Sequence, residues 1–327
     1  MTDRPDEQRR TLGRSGLQVS PVAMGCWPIT GMTTLNTTVA ESRATLSAAY
    51  EAGINFFDTA YCYGASGESE RMIGSVLGAA RGEIVIATKG GIHWDENLVR
   101  QYDASPETLA RECDESLARL GTDRVDVYYL HAPDPQVSIA ESAQAIGRMI
   151  EEGKALAAGA SNCTLDQLKE FHAACPLTVV QPYYNMLQRE IEAEVVPWCQ
   201  EQNIAIACYW PLMKGLLAGK LPRDHVFDPQ DGRAKYPMFH GDQWEKNQDF
   251  VDELREIADG LGKTVAQLVV NWTIHRPGIT AALCGARRPE QIGETAGAMG
   301  WRMTAEQLAA VDAAIARRGQ PVTRGAV

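Results

Sequence analysis

The stretch SPETLARECDESLARLGTDRVDVYYLH, residues 105–131, decides the fold. Its first part is patterned as a helix. It opens on Ser105 and Pro106, a good N-cap and first helical residue. It stops at Gly121, where helices commonly end. The run VDVYYLH (125–131) that follows is β-branched, aromatic and only as long as a strand. A helix followed at once by such a strand is the unit of a parallel sheet covered on both faces.

Working outward, the strand pattern recurs in VAMGCW (22–27), INFFD (54–58), IVIATK (84–89), ALAAGASN (155–162), TVVQP (178–182), IAIACYW (204–210) and TAALCGA (280–286). Helical stretches such as ESAQAIGRMIEEGK lie between them. Eight such units predict an α/β fold, a (β/α)8 TIM barrel, with a doubly wound sheet as the rival. TLGRSGLQVSPV (11–22) reads as an N-terminal β-hairpin with a glycine-containing turn, placed to close the bottom of the barrel. No linker, repeat or low-complexity tract divides the chain, so residues 1–327 read as a single domain. The rhythm breaks once, in a long loop after strand seven from Met213 to Asn247, rich in Gly, Pro, Asp and Lys. A loop of that length is functional or disordered. Helices are expected beyond it over Asp249–Leu261 and Val265–His275, then strand eight and two more helices ending near Arg317.

Composition narrows the class. With 45% hydrophobic and 22% charged residues the chain reads as soluble and globular. No apolar run reaches membrane-spanning length. The opening MTDRPDEQRR is charged, unlike a signal peptide, so a cytoplasmic location is expected. A formal charge of −11 argues against nucleic acid or an anionic membrane as partner. The eight scattered cysteines contain no C-x-x-C pair and are expected to be reduced thiols. The six histidines show no H-x-H or H-x-x-x-H spacing, so no metal is expected and a metal-dependent barrel hydrolase ranks last. The sequence does not set the oligomeric state.

Polar residues gather at the strand ends: Asp58, Lys89, His131, Ser161 with Asn162, Gln181 and Tyr209. Each alone has an ordinary reading, as a loop cap, a surface lysine or a core histidine. In a (β/α)8 barrel, however, these ends share the face that carries the active site. Tyr63, five residues after Asp58, joins them. An isolated phenol titrates near pH ~10, too high for efficient proton donation at neutral pH. A neighbouring ammonium is expected to lower that value. Asp58 would hold Lys89, Lys89 would tune Tyr63, and His131 would orient a carbonyl oxygen or share the proton. Such apparatus protonates an oxygen as negative charge develops on it.

These residues resemble the aldo-keto reductase superfamily. The likeness runs from the first hairpin to about residue 315. Its most specific part is GINFFDTAYCYG with GESERMIG, followed in order by ATKGG, YYLHAPD, GASN, VQPYYN, YWPLMKGLLAGK and GARRPEQIGE. The long loop after strand seven is similar to that of the bacterial and channel-subunit-like branches. The resemblance implies a catalytic tetrad of Asp58, Tyr63, Lys89 and His131, with Tyr63, whose spacing from Asp58 matches the signature, rather than the neighbouring Tyr61, as proton donor. It implies that Ser161, Asn162 and Gln181 hydrogen-bond a nicotinamide carboxamide, with Asp58 beside them, and that Tyr209 stacks on the ring. Leu212, Gly215 and Lys220 match a loop over the pyrophosphate. Gly285, Arg287, Gln291 and Glu294 match the segment that holds the adenosine end.

NADPH is the expected cofactor, with NADH possible. Arg287-Arg288, at a helix start, reads as a solvated pair or as a site for the 2′-phosphate of NADP. Ala286 and Thr295 depart from the family's usual Ser and Asn and loosen that preference. No G-x-G-x-x-G follows a strand, so a Rossmann site is not indicated. Trp27 and Trp94, with His131, are expected to line the pocket for a small-molecule carbonyl substrate. The natural substrate and the physiological direction are not written in the chain. The main reading is a carbonyl reductase; the alternative is an NADP(H)-binding sensor or regulatory subunit with little turnover.

Overall fold

The computed structural model describes residues 9–32 and 37–321. The charged N-terminal stretch read above lies outside them up to residue 8. A hairpin of β1 (Arg10–Thr11) and β2 (Gln18–Val19) leads into β3 (Val22–Gly25). Next come α1 (Val39–Glu51), β4 (Phe56–Asp58), α2 (Glu68–Leu77) and β5 (Val85–Gly90). A second hairpin, β6 (Ile92–Trp94) and β7 (Arg100–Tyr102), precedes α3 (Pro106–Leu120) and β8 (Val125–Leu130). The chain continues through α4 (Ile139–Glu151), β9 (Ala155–Ser161), α5 (Leu165–Ala174), β10 (Leu177–Gln181), α6 (Val195–Glu201) and β11 (Ala205–Tyr209). It ends with α7 (Gly241–Gly260), α8 (Val265–Ile274), β12 (Ala281–Gly285), α9 (Pro289–Ala296) and α10 (Ala305–Arg318).

Strands β3, β4, β5, β8, β9, β10, β11 and β12 pair in that order, all parallel, and β12 closes onto β3 through Ala282↔Val22 to Gly285↔Gly25. The doubly wound alternative is thereby excluded. The strand period of two sorts the side chains. Along β8, Val127 and Tyr129 point into the barrel with Phe56, Val85 and Val179, while Tyr128 and Leu130 pack outward with the helices. The interior is narrow, so alanines at 23, 87, 157, 205, 207 and 281 fill much of it. Gly159 makes room for the Tyr129 ring: a Cβ there would stand 2.3 Å from its Cδ1. Leu12 and Val19 of the first hairpin are fully buried in this inner core, and plug the N-terminal end of the barrel as the sequence suggested.

Local chemistry fixes the helix starts. Thr38, Ser138, Thr164, Thr264 and Thr304 each close a capping box with Glu or Gln three residues on. Ser105 caps α3, and Gly121 ends it at φ 66°. Among the described residues, no helix is long and apolar enough to cross a membrane.

Two regions differ from the sequence reading. The long loop ends near His240, because α7 begins at Gly241 rather than Asp249. Its first two turns bury polar groups that mask the apolar period: Asn247 donates to Met238 O (2.8 Å) and accepts from Arg318 Nε (2.7 Å). The loop is also not structureless, since 3₁₀ turns span Met213–Ala218, Gly232–Lys235 and Pro237–Phe239. The β6–β7 hairpin was not anticipated. Its outer strand, RQY, is exposed and lacks an apolar face, and its turn is held by Asp95 accepting from Asn97 and Val99 N–H.

Candidate active site

The parallel register puts Asp58, Lys89, Ser161, Gln181 and Tyr209 at the C-terminal ends of their strands, with His131 immediately after β8. Tyr63 lies on the loop between β4 and α2. These residues meet. Lys89 is fully buried, and its three ammonium donors are all directed at acceptors. Nζ donates to Asp58 Oδ1 (2.6 Å) and Thr59 O (2.6 Å), and lies 3.4 Å from the Tyr63 hydroxyl. The other Asp58 oxygen accepts from Gln181 Nε2 at 2.6 Å. A buried ion pair is weak evidence for stability, since desolvation offsets its attraction. Its place at the barrel mouth, against a phenol, makes it a candidate for chemistry.

The network continues round the rim. Ser161 Oγ donates to Gln181 O (2.8 Å), and Asn162 Nδ2 donates to His131 O (2.8 Å) and Ser161 Oγ (3.2 Å). The Tyr209 hydroxyl donates to Asn162 Oδ1 at 2.8 Å. Asn162 holds φ at 58°, a left-handed conformation that asparagine tolerates and that turns its amide to these partners. Trp27, just beyond β3 rather than within it, meets the Tyr63 ring edge-on at 5.1 Å, and His131 lies 5.9 Å from the same ring. Trp94, on β6, donates from Nε1 to Cys62 O at 2.8 Å. Tyr61, the other phenol of the signature, is tied elsewhere: its hydroxyl bonds Glu115 (2.8 Å), with Arg119 stacked on its ring.

Burial sets the protonation states. It pushes the Asp58 carboxyl upward, opposed by the Lys89 charge and by hydrogen bonds from Lys89 and Gln181. It drives the Tyr63 phenol well above its ordinary value, helped by the Asp58 charge. The expected lowering by Lys89 is therefore not found, because Asp58 at 2.6 Å matches the ammonium and leaves desolvation dominant. Tyr63 rests as a neutral O–H. Burial first, then the charges of Lys89 and Arg100, takes His131 well below its usual range, so its imidazole is neutral.

The model of the aldo/keto reductase family matches residues 21–316. The chain belongs to the aldo/keto reductase family. It is 34% identical to a probable voltage-gated potassium channel subunit beta of Arabidopsis thaliana, over 88% of this chain and 89% of that one. It is 32% identical to the NADH-specific methylglyoxal reductase of Escherichia coli, over 88% and 92%. The solved glycerol dehydrogenase AKR11B4 of Gluconobacter oxydans superposes with a TM-score of 0.89 at 32% identity, covering 99% of this chain and 100% of that one. The protein is an oxidoreductase, and the family acts on carbonyl compounds.

The other end of the mouth of this aldo/keto reductase is built from the loop after β11 and from α9. Lys220 and Glu294 form an ion pair at 2.9 Å that straps the two together. Gln291 Oε1 accepts from Arg287 N (2.9 Å) and shapes the turn after Gly285 at the end of β12. Leu212 caps the 3₁₀ turn that contains Gly215, whose φ of 90° needs a glycine. Thr295 donates back into its own helix, to Ile292 O at 3.1 Å. Arg233 was missed by the sequence reading: a Cβ on Gly215 would lie 3.5 Å from its Nη1. Its charge and that of Arg288 lower the proton affinity of Arg287, after burial. Asp231 and Glu41 stand beside them, at 2.7 Å from Arg233 and 3.9 Å from Arg288. Three guanidiniums crowded in an acidic chain form a donor set that fits a phosphate. Within this long loop nothing in the sequence marked Arg233 apart from its neighbours.

Proposed function

We propose that the protein reduces an aldehyde or ketone to an alcohol with NADPH, with Tyr63 as proton donor. The observation that carries this reading is the buried chain Asp58–Lys89–Tyr63 at the barrel mouth. A bound reduced nicotinamide would supply the hydride. Tyr63 gives its proton to the carbonyl oxygen as charge develops there. Lys89, 3.4 Å away, then faces a phenolate and stabilises it. Asp58 and Gln181 keep the ammonium in place. Ser161, Asn162 and Gln181 offer the amide and hydroxyl groups for a carboxamide, and Tyr209 the ring for stacking. In doing so Asn162 would exchange its bond from Tyr209.

Arg233, Arg287 and Arg288 support NADPH over NADH, since a 2′-phosphate is the feature that separates the two. The name of the E. coli relative keeps NADH in the test. Trp27 beside Tyr63, and Trp94 beyond it, favour an apolar or aromatic substrate.

A carbonyl panel followed with NADPH and NADH in parallel tests the reading. Tyr63→Phe should keep nicotinamide binding and lose about 10²–10⁴-fold in reduction. Unchanged turnover would remove Tyr63 from the mechanism. Tight NADPH binding with no turnover on any carbonyl would fit the sensor reading instead.

A further inference from the structure

Cys62 precedes Tyr63 on the loop between β4 and α2, and the proposed reaction gives it no part. Its thiol is buried, 3% exposed, and lies 3.6 Å from Nδ1 of His131. Both partners are held by their own backbones. Trp94 Nε1 anchors Cys62 O at 2.8 Å, and Ala60, Ile92 and Ala132 pack round the side chain. His131 N–H donates to Gly90 O (3.0 Å), and its carbonyl accepts from Asn162. The backbones that carry the two side chains are thus fixed on both sides of the contact.

We propose that Cys62 is a positioning residue that sets the tautomer of His131: its S–H donates to Nδ1, which leaves the ring proton on Nε2. His131 then meets the substrate's carbonyl oxygen as a hydrogen-bond donor.

The direction follows from the two groups' chemistry. A thiol is a weak donor and a weaker acceptor, whereas a neutral imidazole nitrogen is a good acceptor. The reverse bond, Nδ1–H to sulfur, spends the ring proton on the poorer acceptor. It would also turn a lone pair at Nε2 toward a carbonyl oxygen. The surroundings keep both partners neutral. Burial pushes the Cys62 thiol up to about 12, against the charges of Arg100 and Lys89, with Glu112 acting the other way. The charges facing His131 are Lys89 and Arg100, and both disfavour an imidazolium. One oxygen would then be served by two donors with separate tasks: Tyr63 transfers its proton and His131 orients.

This inference rests on the reading of the mouth as a carbonyl-reducing site, yet its first test needs no substrate. Long-range ¹H–¹⁵N spectra of the histidine-labelled full chain report which ring nitrogen of His131 carries the proton. Wild type should show Nε2–H with an unprotonated Nδ1; a proton on Nδ1 would overturn the proposal outright. Cys62→Val, similar in volume but without a donor, should give a mixed tautomer. It should also lower kcat/KM by about tenfold or more, toward the ~10²-fold that losing an oxyanion donor costs. Cys62→Ser, which restores a donor, should recover both signals. A valine variant with the wild-type tautomer and rate would equally sink the idea. Because the spectrum is read on the free protein, a failure of Tyr63→Phe to slow turnover and a failure of this inference remain distinct results.

Discussion

The Tyr63 end of the mouth and the Arg287 end handle charge in opposite ways. At the first, Lys89 and Asp58 are 0% and 2% exposed, sit 2.6 Å apart, and have their remaining hydrogen-bonding capacity met by Thr59, Tyr63 and Gln181. At the second, the charges of Arg233 and Arg288 disfavour that of Arg287 even though Asp231 pairs with Arg233 and Glu41 stands by Arg288, and the strap between Lys220 and Glu294 is carried by a largely exposed lysine. Matched, dry charges hold a geometry; crowded, wet ones hold a place for an anion. Under the proposed function, the first arrangement would serve proton transfer at a fixed point, and the second would grip and release a phosphate.

The harshest way to break this contrast is Lys89→Met. It leaves Asp58 buried without its partner, and should cost about 3–5 kcal/mol in urea unfolding, with turnover abolished. A loss below about 1 kcal/mol would mean that the pair is not as dry as its burial implies. Glu112 sharpens the contrast from the same end. It is buried beneath the second hairpin, accepts from Gly91 N–H (2.7 Å), faces His93 Nδ1 (2.9 Å) and has Arg111 at 3.9 Å. Burial pushes its carboxyl up to about 8, well above the ~4.3 of an unfolded chain. Between these values the folded state binds the extra proton, so stability falls as pH rises through the window. Glu112→Gln removes that dependence. From pH 5 to pH 8.5 the variant should gain about 1–3 kcal/mol on wild type, and a pH-independent gap in chemical denaturation would refute this. The mildest change is at the other end. Arg287→Ala should raise the KM for NADPH by about tenfold, the worth of one charge-assisted hydrogen bond, while moving kcat and the NADH constants far less. Equal losses in KM and kcat would show that the two ends are not separable.

The eight barrel strands could be read from the chain because each is a short apolar run closed by a polar residue, and parallel strands covered on both faces need that pattern. The first hairpin was legible from its glycine-containing turn; that Leu12 and Val19 would be the residues that plug the barrel was not. What stayed hidden depended on partners far along the chain. Arg233 gains its place only when the loop after β11 folds against the turn at Arg287. Cys62 gains its place only beside His131, 69 residues on. The start of α7 was obscured because its buried groups are amides answered by distant partners, so no apolar stripe marks it. The choice of Tyr63 over Tyr61 came from the family signature rather than from periodicity. In the structure, Tyr61 turns to Glu115 and Arg119 and Tyr63 to Lys89. The direction of the Tyr63 shift was misread because the sequence does not show how closely Asp58 would cancel its neighbour.

The join between β12 and β3 has a consequence during synthesis. The strand that shuts the barrel, Ala281–Gly285, is the last of the eight to leave the ribosome, and its partner, Val22–Gly25, is the first. Until then a nascent chain carries an open sheet with two unpaired edges, each able to template pairing with another chain. Ribosome-bound fragments ending before residue 281 should therefore engage chaperones and yield no cooperative unit, however complete the other seven strands already are.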